Sequence, residues 1–146
     1  VAKDAATDME EENNVYLPAE WLAEEGIDQE AVIEPDNRDD AAAVVSRTVS
    51  HARSFLDDAE GYLQAMPLRH GNTMAAWGVP FLLAVGTLRE LAARPEDALT
   101  ERGVKISLQE VGAVMEAMHG ESSPSLSELR EMIARQPFHR AVSNAD

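Results

Sequence analysis

Residues 71–88, GNTMAAWGVPFLLAVGTL, carry no charged side chain, in a chain that has 27 acidic and 12 basic residues. A stretch of that kind must be hidden from water, in a protein core or in a bilayer. A membrane span needs about 20 predominantly apolar residues. This run is marginal in length, opens on Gly-Asn-Thr and has Pro80 near its middle. It reads as a buried helix from about Asn72 to Ala93, bent at Pro80, with Pro95 closing it. Peripheral contact with a membrane is compatible with the same residues.

A helix that apolar needs amphipathic partners, and the preceding segment supplies one. Val45, Val49, Ala52, Phe55, Ala59, Tyr62 and Met66 recur at spacings of three and four, which places them on one helix face. Arg47, Asp57, Asp58 and Glu60 fall largely on the other. The pattern predicts a helix over 39–66, ended by Pro67. Residues 1–12 read as the end of a helix that begins upstream, stopped by Asn13-Asn14. Tyr16-Leu17-Pro18 is extended, and Pro18 opens a helix that Gly26 stops. Asp28 caps a short turn through Ile33, 34–37 is a turn, and Glu96 to Thr100 is a turn or short helix. Ser107 caps a helix to Met118, with Glu110 as its capping-box partner. Ser125 or Ser127 caps a last helix to about Gln136. No segment alternates with period two, so the chain is all-α: one helical domain over 1–136 and a frayed tail over 137–146.

The net charge is −15, and only Lys3 and Lys105 among the 12 bases are lysines. Such an acidic, lysine-poor surface suits concentrated salt, where screening reduces self-repulsion. It excludes a nucleic-acid binder, which needs a basic face to displace counterions. The absence of cysteine excludes disulfides and thiolate metal sites. Residues 1–15 are acidic and have no apolar core, unlike a secretory signal. These features lead us to expect a cytoplasmic location, with membrane association left open. His51, His70, His119 and His139 show no ligand spacing, and Arg102 and Lys105 read as surface charges.

Asp4-Ala5-Ala6-Thr7-Asp8 puts two carboxylates at i and i+4, which share a face on a helix. Paired carboxylates repel unless a cation lies between them. Their hard oxygens suit magnesium, which retains water and takes its other ligands from one or two carboxylates and from substrate phosphates. The small Ala5 and Ala6 would let a bulky diphosphate approach. In so acidic a chain, the pair alone reads as a solvated helix face.

Its context adds a resemblance. DAATDMEEENNVYLPAEWL is similar to the second aspartate-rich motif of the squalene/phytoene synthase family, followed by that family's Tyr-Leu-Pro-like stretch and Trp-Leu helix. Ala59-Glu60-Gly61-Tyr62-Leu63 with Met66-Pro67, Leu82 to Leu91, and Arg102-Gly103-Val104-Lys105-Ile106-Ser107 resemble later segments of the family. The likeness spans roughly residues 1–118. It implies an isoprenoid-synthase-type helical bundle, of which these are the C-terminal helices only. It also implies Mg2+-dependent head-to-head condensation of two prenyl diphosphates, farnesyl or geranylgeranyl, with the squalene-forming reaction taken ahead of the phytoene-forming one. By match, Asp4 and Asp8 are metal ligands and Lys3 lies near the diphosphate. Trp77, Phe81 and Val85 would line the prenyl pocket. The partner implied is the N-terminal half of the same fold, which carries the first aspartate-rich motif. Two departures stand out: Phe81 where the family often has tyrosine, and Glu10-Glu11-Glu12 where relatives are often basic. The competing reading is a catalytically silent helical fragment or interaction module.

Overall fold

The computed structural model describes residues 2–66, 72–120 and 124–143. Pro67, expected to end the long amphipathic helix, and His70 lie outside the described residues. The elements are α1 (Ala5–Glu12), α2 (Ala19–Glu24), α3 (Arg38–Ala65), α4 (Asn72–Ala93), α5 (Leu108–His119), α6 (Leu126–Arg135) and α7 (Phe138–Ser143). Short 3-10 turns lie at Ala2–Asp4, Gln29–Ala31, Pro35–Asn37 and Pro95–Leu99. No strand occurs among the described residues, and the fold is all-α as expected. The chain divides into two compact units, Val1–Ala52 with Glu90–Lys105 and Arg53–Arg89 with Ile106–Asp146, each taken by itself below.

In the first unit, Val15 and Leu17 are buried while Tyr16 between them is half exposed, the alternation of an extended segment. The Gln29 side-chain amide donates to the Val15 carbonyl and to Asn14 Oδ1, both at 2.8 Å, and so holds that segment in place. Gly26 ends α2 with φ +73, a conformation natural to glycine. Val45 and Val49 of α3 are buried, as their spacing predicts, and Val44 beside them is buried too. On the surface, the Arg47 guanidinium lies 4.2 Å over the Trp21 ring and pairs with Glu24.

The second unit closes around Leu82, Val114, Leu129 and Ile133, all essentially inaccessible to water. Each such side chain contributes roughly 1.5–3 kcal/mol by leaving water. Here α3 departs from its expected face. Phe55 and Tyr62 are 59% and 65% exposed, while Leu63 is buried and Leu56, Ala59 and Met66 pack against the core. Spacings of three and four allow two adjacent tracks, 55/59/62/66 and 56/59/63/66, and the leucine track is the one that packs. Helix α4 has the expected bounds and continues through Pro80. Its Met74–Ala93 segment is long and apolar enough to cross a membrane by length and composition. Yet Phe81, Leu82 and Val85 are buried in this unit's core.

The C-terminal helices refine the sequence reading. Ser107 accepts from the Glu110 N–H at 3.1 Å and so caps α5 as expected. The Glu110 side chain, expected in a capping box, turns into the core instead, toward Arg89. The reciprocal box forms at α6, where Ser125, not Ser127, caps and Glu128 returns the bond. That bonding to the Ser125 N–H and hydroxyl holds the Glu128 carboxyl below its usual range. Residues 137–146, read as a frayed tail, open with α7, whose Phe138 is buried in the core.

Candidate functional site

The aspartate pair lies in the first unit, at a junction rather than on one regular helix. Lys3 and Asp4 belong to the 3-10 turn Ala2–Asp4, and Asp4 has φ −128 and ψ 31, outside the helical region. Asp8 lies in the first turn of α1. Both carboxylates are half-buried. The Lys3 ammonium donates to Asp4 Oδ2 and forms an ion pair with it. Ala5 and Ala6 are buried in the core, so their small size serves packing.

One turn beyond Asp8, Glu12 accepts from the Tyr16 hydroxyl. That hydrogen bond and the Glu12 charge raise the Tyr16 pKa, and the Asp8 charge adds to the effect. The acidic run Glu10-Glu11-Glu12 is exposed, as a solvated face should be. Asn13, left-handed at φ 50, ends α1 by donating its N–H to the Met9 carbonyl at 3.1 Å.

A segment distant in sequence closes over the turn that carries Lys3 and Asp4. The Val104 N–H donates to the Lys3 carbonyl at 2.9 Å. Gly103 adopts φ +56, and a Cβ placed on it would stand 2.8 Å from both Asp4 Oδ1 and the Lys3 carbonyl oxygen. Arg102 and Lys105 are exposed, in line with their reading as surface charges. Sequence reasoning singled out this segment for its bases and missed its glycine. A lone glycine inside a charged, β-branched loop was the available signal.

Trp77, Phe81 and Val85 lie on α4 within the second unit, and their exposures differ. Trp77 is 56% exposed, while Phe81 and Val85 are buried. The Arg130 guanidinium lies 5.9 Å from the Phe81 ring centre. Beside them an open cleft of about 340 Å³ is lined by Ala75, Ala76, Val79, Pro80, Met115 and His119. His119 Nδ1 lies 2.7 Å from the Met115 carbonyl.

Among the described residues, no group of three or more His, Cys, Asp or Glu side chains is placed to hold a metal ion. A fully protein-made cage is therefore not part of this donor set. Two half-buried carboxylates with an adjacent ammonium fit a different arrangement. Such groups suit a hydrated magnesium ion shared with phosphate oxygens, which Asp4 and Asp8 would hold.

Comparisons with known proteins identify the family. The model of the squalene/phytoene synthase family matches residues 1–110. A 15-cis-phytoene synthase from Enterobacter agglomerans is 37% identical over 79 residues, 54% of this chain and 25% of that protein. A 15-cis-phytoene synthase from Pantoea ananas is 30% identical over 98 residues, 67% of this chain and 29% of that protein. The matched region thus spans between a quarter and a third of these curated relatives. No solved structure matches significantly. Among the described residues the chain is all-helical, with Asp4 and Asp8 at the start of α1. The chain belongs to the squalene/phytoene synthase family.

Proposed function

We propose that this chain supplies the second aspartate-rich motif of an enzyme that condenses two prenyl diphosphates head to head. The family match over residues 1–110, which contains the whole Asp4–Asp8 segment, carries the reading. Asp4 and Asp8 would hold magnesium. The ion would neutralise a bound diphosphate and make it a better leaving group. Lys3, which pairs with Asp4, would turn to the diphosphate oxygens when Asp4 takes the cation. Farnesyl and geranylgeranyl diphosphates are both candidate substrates, and the phytoene synthases among the relatives make the second as necessary to assay as the first. Membrane contact through the apolar α4 would give access to lipid-soluble substrates and products.

The coverage of only 25% and 29% of the relatives favours a second reading, a helical piece without activity of its own. One experiment separates the two. The chain, joined to the upstream half of the fold, is assayed with each diphosphate and Mg2+. Turnover lost in Asp4→Asn and Asp8→Asn supports the first reading. No turnover with either substrate, or activity indifferent to both substitutions, supports the second.

A further inference from the structure

Asp4 sits in the 3-10 turn Ala2–Asp4 and not on α1. Asp4 lies outside the helical region, and α1 begins only at Ala5. Besides the Lys3 ammonium, a segment about 100 residues away in sequence packs on this turn. The Val104 N–H donates to the carbonyl of Lys3, the residue before Asp4, at 2.9 Å. Gly103, just before that donor, sits in the left-handed region at φ +56. Its own N–H is held by the Thr100 carbonyl at 2.9 Å, which closes the turn that presents it. A Cβ at position 103 would come within 2.8 Å of the Lys3 carbonyl oxygen and of Asp4 Oδ1. The carbonyl is backbone, so the Lys3–Asp4 turn itself would have to move. The absent side chain of Gly103 is the space that the Asp4 carboxylate occupies.

We infer that Gly103, with the Val104 N–H, is a positioning element that sets the Asp4 carboxylate for a divalent cation bound with diphosphate. The inference rests on the reading of Asp4 as a metal ligand given above. Groups that orient a ligand without touching the metal typically change affinity by about 10- to 100-fold.

Gly26 provides a matched control in the same unit. It too has positive φ, +73, but a Cβ there meets nothing within 4 Å. Gly103→Ala and Gly26→Ala therefore impose a similar backbone penalty, and only the first intrudes on Asp4. The full chain and its variants are titrated with Mn2+ in the presence of inorganic diphosphate, and the unbound ion is followed by electron paramagnetic resonance. Circular dichroism identifies a temperature at which all of them are folded. The expected result is Mn2+ binding by the unsubstituted chain, its loss in Asp4→Asn, weakening of about tenfold or more in Gly103→Ala, and near-unchanged binding in Gly26→Ala. Should Gly103→Ala fail to fold, an ester in place of the Val104 amide removes the N–H donor without adding bulk, and the same weakening is expected. Unchanged binding in Gly103→Ala, or in the ester if that variant is needed, while Asp4→Asn abolishes binding, overturns the positioning role and leaves the metal reading intact. Equal weakening in Gly26→Ala also overturns it. No binding by the unsubstituted chain, or unaltered binding in Asp4→Asn, removes the metal reading and the inference with it.

Discussion

Arg89 and Glu110 meet fork to fork in the core of the second unit, Nη1 on Oε1 and Nη2 on Oε2, each at 2.8 Å. Glu110 is 1% exposed, yet its carboxylate is well supplied, because the Phe138 N–H also donates to Oε1 at 3.0 Å. Arg89 in turn donates to the Ile133 carbonyl at 2.8 Å. One ion pair thereby ties α4 and α5 to the end of α6 and the start of α7. Removing one partner of a buried pair leaves a stranded charge and typically costs about 3–5 kcal/mol. Glu110→Ala and Arg89→Met should each lower the unfolding temperature steeply. The double variant Arg89→Met/Glu110→Leu should recover much of the loss. Additive losses in thermal unfolding would refute the coupling.

Acid should weaken a second contact in the same unit. Burial would raise the Glu60 carboxyl, but a hydrogen bond from the Ser127 hydroxyl and the paired Arg130 guanidinium outweigh it and bring the group below its ordinary range. A carboxylate depressed in the folded state contributes stability above its unfolded pKa, about 4.3, and loses it as pH falls through the folded value. Glu60→Gln should therefore be less stable than the parent at neutral pH and should show a shallower decline below about pH 4.3. Parallel pH–stability curves for the two would count against this.

The carboxylate pair should report its ligand through stability. Mg2+ with inorganic diphosphate at about 100 times the dissociation constant should stabilise the chain by about 2.7 kcal/mol. Asp8→Asn should remove most of that gain. An unchanged ligand-induced shift in Asp8→Asn, measured by differential scanning calorimetry, would exclude Asp8 as a ligand.

Salt should raise stability. With a net charge of −15, self-repulsion opposes compaction, and the screening length falls from about 10 Å to about 3 Å between 0.1 and 1 M salt. Thermal unfolding in NaCl across that range should move upward. It should do so although exposed pairs such as Arg135 with Glu131 at 3.1 Å weaken, since pairs of that kind contribute little. A falling unfolding temperature would show that local pairs outweigh the net charge.

Local chemistry was the legible part of this fold. The bounds of α4 follow from an uncharged run with Pro95 beyond it, and those of α1 and α2 from Asn13 and Gly26. Errors arose where two local answers were equally good. Phe55 and Leu56 begin competing tracks on α3, and only packing of the second unit selects Leu56. Ser125 and Ser127 are both plausible caps until Glu128 fixes the first. Glu110 has the correct spacing for a capping box, but Arg89 offers its carboxylate a full charge in the core. At the site, residue types made Asp4 and Asp8 visible. The contact of Gly103 with the Asp4 turn was not, because no short-range pattern encodes a meeting of residues so far apart in sequence.

The burial of Phe138 bears on where this polypeptide can be cut. A boundary chosen from sequence at Gln136 would discard the N–H that α7 brings to Glu110 and a ring that is 3% exposed. A shortened version made for expression or crystallisation would then keep every residue of the aspartate motif and still melt early, from its opposite end.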